Sequence, residues 1–584
     1  MLRPFSRYML SAALLLASLA LASPVYAGGV VGNGTSGSCT EAALNAALAG
    51  GGTVTFNCGG PKTITLTSPK TITQNTVING GDVITLTGNL NTRLFRIEAP
   101  AVVQFSNIKL DKAFSNGSDG AAISNSGALT LTHVTIQSSI TDINHSGGAL
   151  FTDGPALITN STFQNNVGGS AGAIFANFGN AKVTIVDSLF FGNQAQNATT
   201  GYGGAIWVGE NAQLTLRDSA FVGNLAHFGG ALYASPNGVL TLSGTTTGSL
   251  FTTQLQFNSN AATEDGGAIY NKGNLTANNI LLTVNRTPTQ TLLAGYGGGI
   301  YSDGALTLTN GLLQGNQGRF GGGLFVGNSA TNIQAVIDRV SFISNLSGSL
   351  GGGLYTNSDT TAITVTNSVF DRNTAASGGG LARFNAGLRV FNSSFTQNTA
   401  MSGGGLSLNA GPAPSSGPYV HVQSVTVSGN TATSNQGGGV YNSGLLELYF
   451  TTIVSNTNGA FNVGNANTRF RSTVLHNPGS LNCDGDGSGQ ISNDAGNHVT
   501  DSSCGPQFTV VGSDPKLGPL QNDGTGATYY HLPQAGSPLI NTGYSNCPER
   551  DQRGASRPDA CDIGAVEFGG RLPRVFVPLV MRQP

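Results

Sequence analysis

Short runs in which apolar and small polar residues alternate, such as Ala305-Leu-Thr-Leu-Thr309, recur along this chain and are separated by Gly, Asn, Asp and Ser. Period two is the pattern of a half-buried strand, and the separators are turn formers. No stretch after residue 48 holds a helical period for three turns. Between Phe163 and Asn456 one phrase returns eleven times, a large apolar residue followed three positions later by asparagine. Its clear copies pair Phe163 with Asn166, Phe190 with Asn193, Phe221 with Asn224, Phe257 with Asn260, Phe342 with Asn345, Phe370 with Asn373 and Phe395 with Asn398. Leu282, Leu313, Val427 and Ile453 fill the apolar slot in the degenerate copies. Successive copies lie 25 to 36 residues apart, a solenoid period with its irregularity in loops. A second phrase, Gly-Gly-Ala/Gly-Ile/Leu, alternates with the first from Gly147 to Leu406, and Gly437 to Val440 is its last variant.

A repeat of this length built from short strands predicts one coil of a parallel β-helix. Phenylalanines recurring once per coil would stack inside it, each burying apolar area worth roughly 1.5 to 3 kcal/mol. Asparagine suits a left-handed corner and can hydrogen-bond to the asparagine one coil on. The glycine pair suits a place where a Cβ would strike the next coil, about 4.8 Å away. About 15 coils fit between residues 50 and 480, a rod on the order of 70 Å long.

These two phrases, FxxN and GGAI, resemble the polymorphic outer membrane protein repeats of chlamydial surface proteins over roughly residues 120 to 460. The resemblance implies an all-β, right-handed parallel β-helix, a pectate-lyase-like solenoid, exposed at a cell surface and usually adhesive. Those proteins end in an autotransporter barrel, whereas 16 residues follow Phe568 here, so export through such a barrel is not expected. Residues 481–568 carry a second resemblance. Asp514-Pro-Lys-Leu-Gly-Pro-Leu520, Gly536-Ser-Pro-Leu-Ile-Asn541, Asp551-Gln-Arg-Gly-Ala-Ser-Arg-Pro558 and Cys561-Asp-Ile-Gly-Ala-Val-Glu567 are similar to the choice-of-anchor Q domain of bacterial surface proteins. This implies that the segment links the array to a sorting tail, here residues 569–584.

The N-terminus reads as an export signal over residues 1–27: Arg3 and Arg7, an apolar run from Met9 to Ala22, then Val25-Tyr-Ala27. No other run approaches the length of a spanning helix. Residues 28–119 would then form an N-terminal cap and first coils, with a short amphipathic helix between Cys39 and Leu48, and 120–480 the repeat array. Charged residues make up 9% of the chain and the formal net charge is -2, which gives no footing for nucleic acid. Six cysteines fall into local pairs near the chain ends, Cys39 with Cys58, Cys483 with Cys504 and Cys547 with Cys561. Export favours disulfides there, and the absence of CxxC spacing or clustered histidines argues against zinc.

Candidate chemistry is sparse. Asp551, Arg553, Arg557, Asp562 and Glu567 concentrate charge near the C-terminus and predict a buried salt-bridge knot capping the last coil, against the alternative of a catalytic or calcium site. Asp484-Gly-Asp486-Gly-Ser488 starts like an EF-hand loop, but Ala495 stands where its bidentate glutamate belongs. No cofactor is expected, with calcium as the one alternative. Parallel β-helices also carry polysaccharide lyases and hydrolases, and Asp338, Arg339, Asp371, Arg372, Arg383 and Arg389 form the best charged cluster for one. Their registers differ, which favours scattered surface charge. The histidines, among them His133, His227 and His421, share no repeat position. Trp207 with Tyr202, Tyr233, Tyr270, Tyr296 and Tyr301 is either a sugar-binding strip or core and edge packing, and packing is the expectation. Long connections at Ala195–Tyr202, Thr287–Tyr296 and Ala410–Tyr419 are the places expected to meet a ligand. The sequence thus predicts a secreted or cell-surface adhesin or structural protein without catalysis, binding a protein or polysaccharide. A polysaccharide-degrading enzyme is the alternative.

Overall fold

The computed structural model describes residues 28–179, 181–245, 255–289, 295–327, 334–358, 362–385, 387–409, 420–487, 489–508, 512–522, 528–558 and 560–572. The expected export signal, Ser488, the connection 410–419, part of 287–296 and most of the tail lie outside them.

Three strand positions recur along the coils and a short fourth follows the FxxN asparagine in many of them, as at Gln194–Ala195; together they build a parallel β-solenoid. The glycine phrase runs into one strand, as at Ile206–Val208, and such strands stack into a parallel sheet of 16 from Lys70–Ile72 to Cys483–Gly485. The alternating runs, such as Ala305–Thr309, form the leucine face, and the FxxN phrases, such as Ala220–Val222, the phenylalanine face. In early coils these two are one strand, as in Ala128–Gln137, which pairs in parallel with both Ala156–Thr159 and Thr162–Gln164 of the next coil. The coil continues to Gln490–Ala495 and His498–Val499, so the sheets run beyond residue 480.

The phenylalanines occupy the interior and are fully buried. Phe163, Phe190, Phe221 and Phe257 stack at centroid distances of 4.9, 4.6 and 4.9 Å, Leu282 and Leu313 interrupt, and Phe342, Phe370 and Phe395 resume at 4.6 Å. Beside them runs a ladder of buried asparagines. Asn166 donates from Nδ2 to Oδ1 of Asn193 at 3.0 Å, and the same bond repeats through Asn224, Asn260, Asn285, Asn316, Asn345, Asn373, Asn398, Asn430, Asn456 and Asn477. Each interior rung also donates to a phenylalanine-slot carbonyl of the preceding coil, as Asn373 does to Phe342, and accepts the preceding rung's backbone N–H.

The left-handed residue at this corner is not the asparagine but the one before it: Gly192 at φ 61°, Ser344 at 52°, Arg372 at 54° and Gln397 at 53°. That turn swings asparagine inward, so its amide takes the place of the backbone partners lost at the bend. A second corner, between the leucine and phenylalanine faces, uses the same device. Asp187 and Asp218 adopt φ of 49° and 48°, and the serines after them form their own ladder, Ser161 N–H to Ser188 Oγ and Ser188 N–H to Ser219 Oγ, both 3.1 Å. In the glycine pair, Gly351 has φ 67°, and a Cβ on Gly352 would lie 2.3 Å from the Gly379 carbonyl of the next coil. The second glycine, Gly352, is therefore obligatory, whereas the first position favours glycine but is filled by Ala171 at φ 49° in an earlier coil.

The ends of a solenoid lack a neighbour, and both are covered. At the N-terminus an eight-residue helix, α1 (Glu41–Leu48), starts on the Thr40 cap and buries Leu44 and Ala47 in the core. Cys39 and Cys58 are disulfide-bonded beside it, and Glu41 ion-pairs with the buried Lys70 at 2.5 Å. At the other end the Cys483–Cys504 disulfide brings Phe508 against Phe470 at 5.9 Å. The remaining C-terminal segment folds back along the outside of the phenylalanine face instead of over the last coil. Tyr529 N–H donates to Ser394 Oγ at 3.1 Å, Thr426 Oγ1 to Gln552 at 2.5 Å and Ala565 N–H to Thr452 Oγ1 at 3.0 Å, while Leu539 and Ile563 pack on Val454 and Val474. Small hydroxyl residues on that stretch of sheet permit the close approach.

Candidate functional site

The residue after the Ile or Leu of each glycine phrase points outward, since its neighbours in the strand point in. In eight consecutive coils it is aromatic: Phe151, Phe175, Trp207, Tyr233, Tyr270, Tyr301, Phe325 and Tyr355 stand in register. A second column comes from the residue before the glycine pair, namely Tyr202, Phe228, Tyr296 and Phe320, with Asp265 in the place between Phe228 and Tyr296. Two of the long connections expected to meet a ligand therefore end in Tyr202 and Tyr296, and deliver them to this face.

The rings stack mainly on one another along the solenoid. Phe175 and Trp207 lie 4.3 Å apart at 14°, Tyr233 and Tyr270 5.1 Å at 16°, and Tyr270 and Tyr301 4.2 Å at 12°. Their faces meet each other and mainly their edges face outward, which is poor geometry for stacking a sugar ring. The column breaks between Trp207 and Tyr233, 6.4 Å apart at 82°, where Tyr202 inserts 4.4 Å from Tyr233. The cluster of Trp207, Tyr202, Tyr233, Tyr270, Tyr296 and Tyr301 is thus real, but it lies outside the solenoid core.

Acid groups sit among these rings. Asp265 Oδ1 accepts the N–H groups of Gly295 and Tyr296 at 3.1 and 2.9 Å, and Asp303 accepts the Tyr301 hydroxyl at 2.6 Å. Burial pushes the Asp265 carboxyl up to about 6, against the two backbone N–H groups, and Glu264 and Asp303 add to the rise. Burial likewise raises the Tyr233, Tyr270 and Tyr301 phenols well above their ordinary range. Neither Asp265 nor Asp303 forms an ion pair among the described residues. The face also holds cations of its own, Lys272 over Tyr270 at 5.5 Å and Arg319 over Phe320 at 4.7 Å. The acids and Phe228 and Phe320 escaped the sequence reading. The signal for Asp265, Phe228 and Phe320 was the residue before Gly-Gly, which reads Tyr, Phe, Asp, Tyr, Phe and Leu from Tyr202 to Leu350.

The other charged candidates are dispersed. Asp338 pairs with Arg339 at 2.7 Å and Asp371 with Arg372 at 2.8 Å at two different corners, Arg383 is buried on the glycine face and Arg389 lies on the leucine face. Asp484 accepts from Asn458, Asp486 from the Gly464 N–H, and Asp494 pairs with Arg471, so these carboxylates diverge. His421 meets Glu447 at 3.2 Å and His227 bonds Thr263 at 2.8 Å.

The C-terminal charges form a buried knot on the flank. Asp551 pairs with Arg553 at 2.7 Å and accepts the N–H groups of Arg553, Ala555 and Glu567; Arg557 pairs with Glu567 at 3.0 Å and donates to the carbonyls of Asp562 and Gly564. Asp562 takes the Asn541 and Phe568 N–H groups. Burial leads the influences on this network, raising Asp562 and Glu567 and lowering Arg557. Cys547 and Cys561 are bonded next to it, with Cα atoms 6.5 Å apart. These groups are spent on one another and on backbone, as in a structural clasp.

Comparison with known proteins agrees with the repeat pattern. The Chlamydia polymorphic membrane protein (Chlamydia_PMP) repeat matches residues 187–209 and 254–272. No curated protein gives a match to the chain. Among solved structures, PfbA, a surface adhesin of Streptococcus pneumoniae, aligns over 87% of this chain and 100% of its own at 11% identity, with a TM-score of 0.26, a likeness too loose to carry an argument. The chain is a parallel β-solenoid carrying repeats similar to those of chlamydial membrane proteins.

Proposed function

We propose that this protein is exported and works at a cell surface by binding, as an adhesin or structural surface protein, without catalysis. The observation that carries this reading is the outward aromatic face, which spans eight consecutive coils and holds carboxylates with no ion-pair partner among the described residues. Three disulfides and a repeat type found in membrane proteins support an extracytoplasmic setting. On this reading residues 1–27 are a cleaved signal, 28–119 the cap and first coils, and 120–480 the main array. Residues 481–568 are then a choice-of-anchor Q-like segment leading to a sorting tail at 569–584.

The alternative, polysaccharide cleavage, has one observation in its favour. Asp265 and Asp303 lie on adjacent coils, and the first keeps its proton up to about 6, as a general acid does. One experiment separates the readings. The mature protein is tested on arrays of polysaccharides and surface proteins, with and without calcium, for binding and for released reducing or unsaturated ends. Binding without cleavage, lost in Trp207→Ala with Tyr202→Ala, is the expected result. Release of sugar ends, lost in Asp265→Asn, would replace this reading with the enzymatic one.

A further inference from the structure

In the second aromatic column Asp265 takes a place that Tyr202, Phe228, Tyr296 and Phe320 give to rings. Phe228 and Tyr296 flank it two coils apart, about 10 Å at about 4.8 Å per coil, which leaves a slot between them where their neighbours stack closed. Tyr270 lies 5.4 Å from Phe228 at 71°, and Tyr301 6.4 Å from Tyr296 at 84°, so rings stand edge to face around the slot. Its wall is a carboxylate whose Oδ1 is fixed by two backbone N–H groups. Asp303 adds negative potential from the next coil. Glu264 adds more, and the His227 ring 4.0 Å from it does not offset that charge at neutral pH, because burial lowers the imidazole pKa.

We propose that the slot of Phe228, Asp265 and Tyr296 binds an organic ammonium group, and a quaternary one best. Ring quadrupoles and a carboxylate attract the same charge, and N-methyl groups bury against rings what a hydrated primary ammonium would leave in water. The protein already places Lys272 over Tyr270 and Arg319 over Phe320, so cations settle on this face from within the chain. The slot offers the same contact to a ligand with a carboxylate added. This inference rests on reading the aromatic face as the binding face.

Calorimetric titration of the mature chain at neutral pH with choline, tetramethylammonium, lysine methyl ester and the uncharged isostere 3,3-dimethylbutanol tests it. Choline and tetramethylammonium should bind saturably, the primary ammonium more weakly, and the isostere at least tenfold more weakly than choline. Asp265→Asn keeps an acceptor for the Gly295 and Tyr296 N–H groups, so it should fold and lose at least tenfold in choline affinity. Tyr296→Leu should lose affinity as well, and Phe461→Leu, far along the same face, should not. Equal binding of choline and its isostere, no saturable choline binding, or an unchanged Asp265→Asn would overturn the proposal. Surface-ligand binding that depends on Trp207 while choline does nothing would sink this inference alone. Choline binding by a protein that captures no surface ligand would sink only the proposed function.

Discussion

Replacing Asn373 by leucine removes one rung from the middle of the asparagine ladder at nearly constant volume. Four hydrogen bonds go: Nδ2 to Asn398 Oδ1 at 3.0 Å, Nδ2 to the Phe342 carbonyl at 2.8 Å, and the Asn345 N–H and Nδ2 to Oδ1 at 2.9 and 3.0 Å. Asn373 is fully buried, so no water replaces them. Two donors of Asn345 and the Phe342 carbonyl lose a partner. At about 1 to 3 kcal/mol for each orphaned group, and with some relaxation of the corner, the loss should be about 3 to 6 kcal/mol. Asn373→Asp should cost at least as much, because a buried carboxylate would face the Asn398 Oδ1 and the Phe342 carbonyl. Urea unfolding followed by circular dichroism measures the global effect. Amide exchange of the neighbouring coils shows its spread, since a solenoid can open locally. A change below about 1 kcal/mol for both variants, with exchange unchanged at Asn345, would refute the view that the ladder holds these corners.

Other outcomes follow from the same geometry. Arg557→Met strands Glu567 and should cost about 3 to 5 kcal/mol in urea unfolding, with loss of the C-terminal flank first. Because the Asp265 pKa is raised from 3.8 to about 6, the folded state holds a proton that the unfolded chain has released between those values; stability should therefore fall as pH rises through that window and stay lower above it. Asp265→Asn should then be the more stable protein at pH 7.5, by up to about 3 kcal/mol, and no more stable at pH 3.5, read by thermal unfolding at both. Glu41 has the opposite sign. Its hydrogen bonds to Lys70 and Thr67 outweigh burial and hold it at about 2, so the tether of α1 is present above the ordinary carboxylate range and lost as pH falls toward 2, as amide exchange in α1 should show. Breaking the Cys39–Cys58 bond by Cys58→Ser should raise exchange in the first coils while the central ladder stays protected.

The interior of the solenoid was legible because each inward slot repeats once per coil under the same steric demand. Phe163 to Phe395 stack where the phrase puts them, and Gly352 has no room for a Cβ. The asparagine's conformation was misassigned because its preference for left-handed corners is real in isolation, whereas here the preceding residue turns and frees the amide for the ladder. The serine ladder at Ser161, Ser188 and Ser219 was missed, since serine also fills many of this chain's turns. The C-terminal charges looked like an end cap because sequence order suggests the end. Their actual seat is set by Ser394, Thr426 and Thr452, more than a hundred residues earlier. Asp265 was invisible for a similar reason: nothing local marks an acid as the occupant of a ring position until the coils are aligned.

The most direct measurement is binding of the mature protein to the surface of intact cells and to purified surface polymers, with wild type compared against Trp207→Ala with Tyr202→Ala and with released sugar ends assayed in parallel. Saturable binding by the wild type, its loss in the aromatic variant with the fold intact by circular dichroism, and no released ends is the predicted result. Turnover of a polymer, or binding that the aromatic variant retains in full, would contradict the assignment of this face as the place where the protein works.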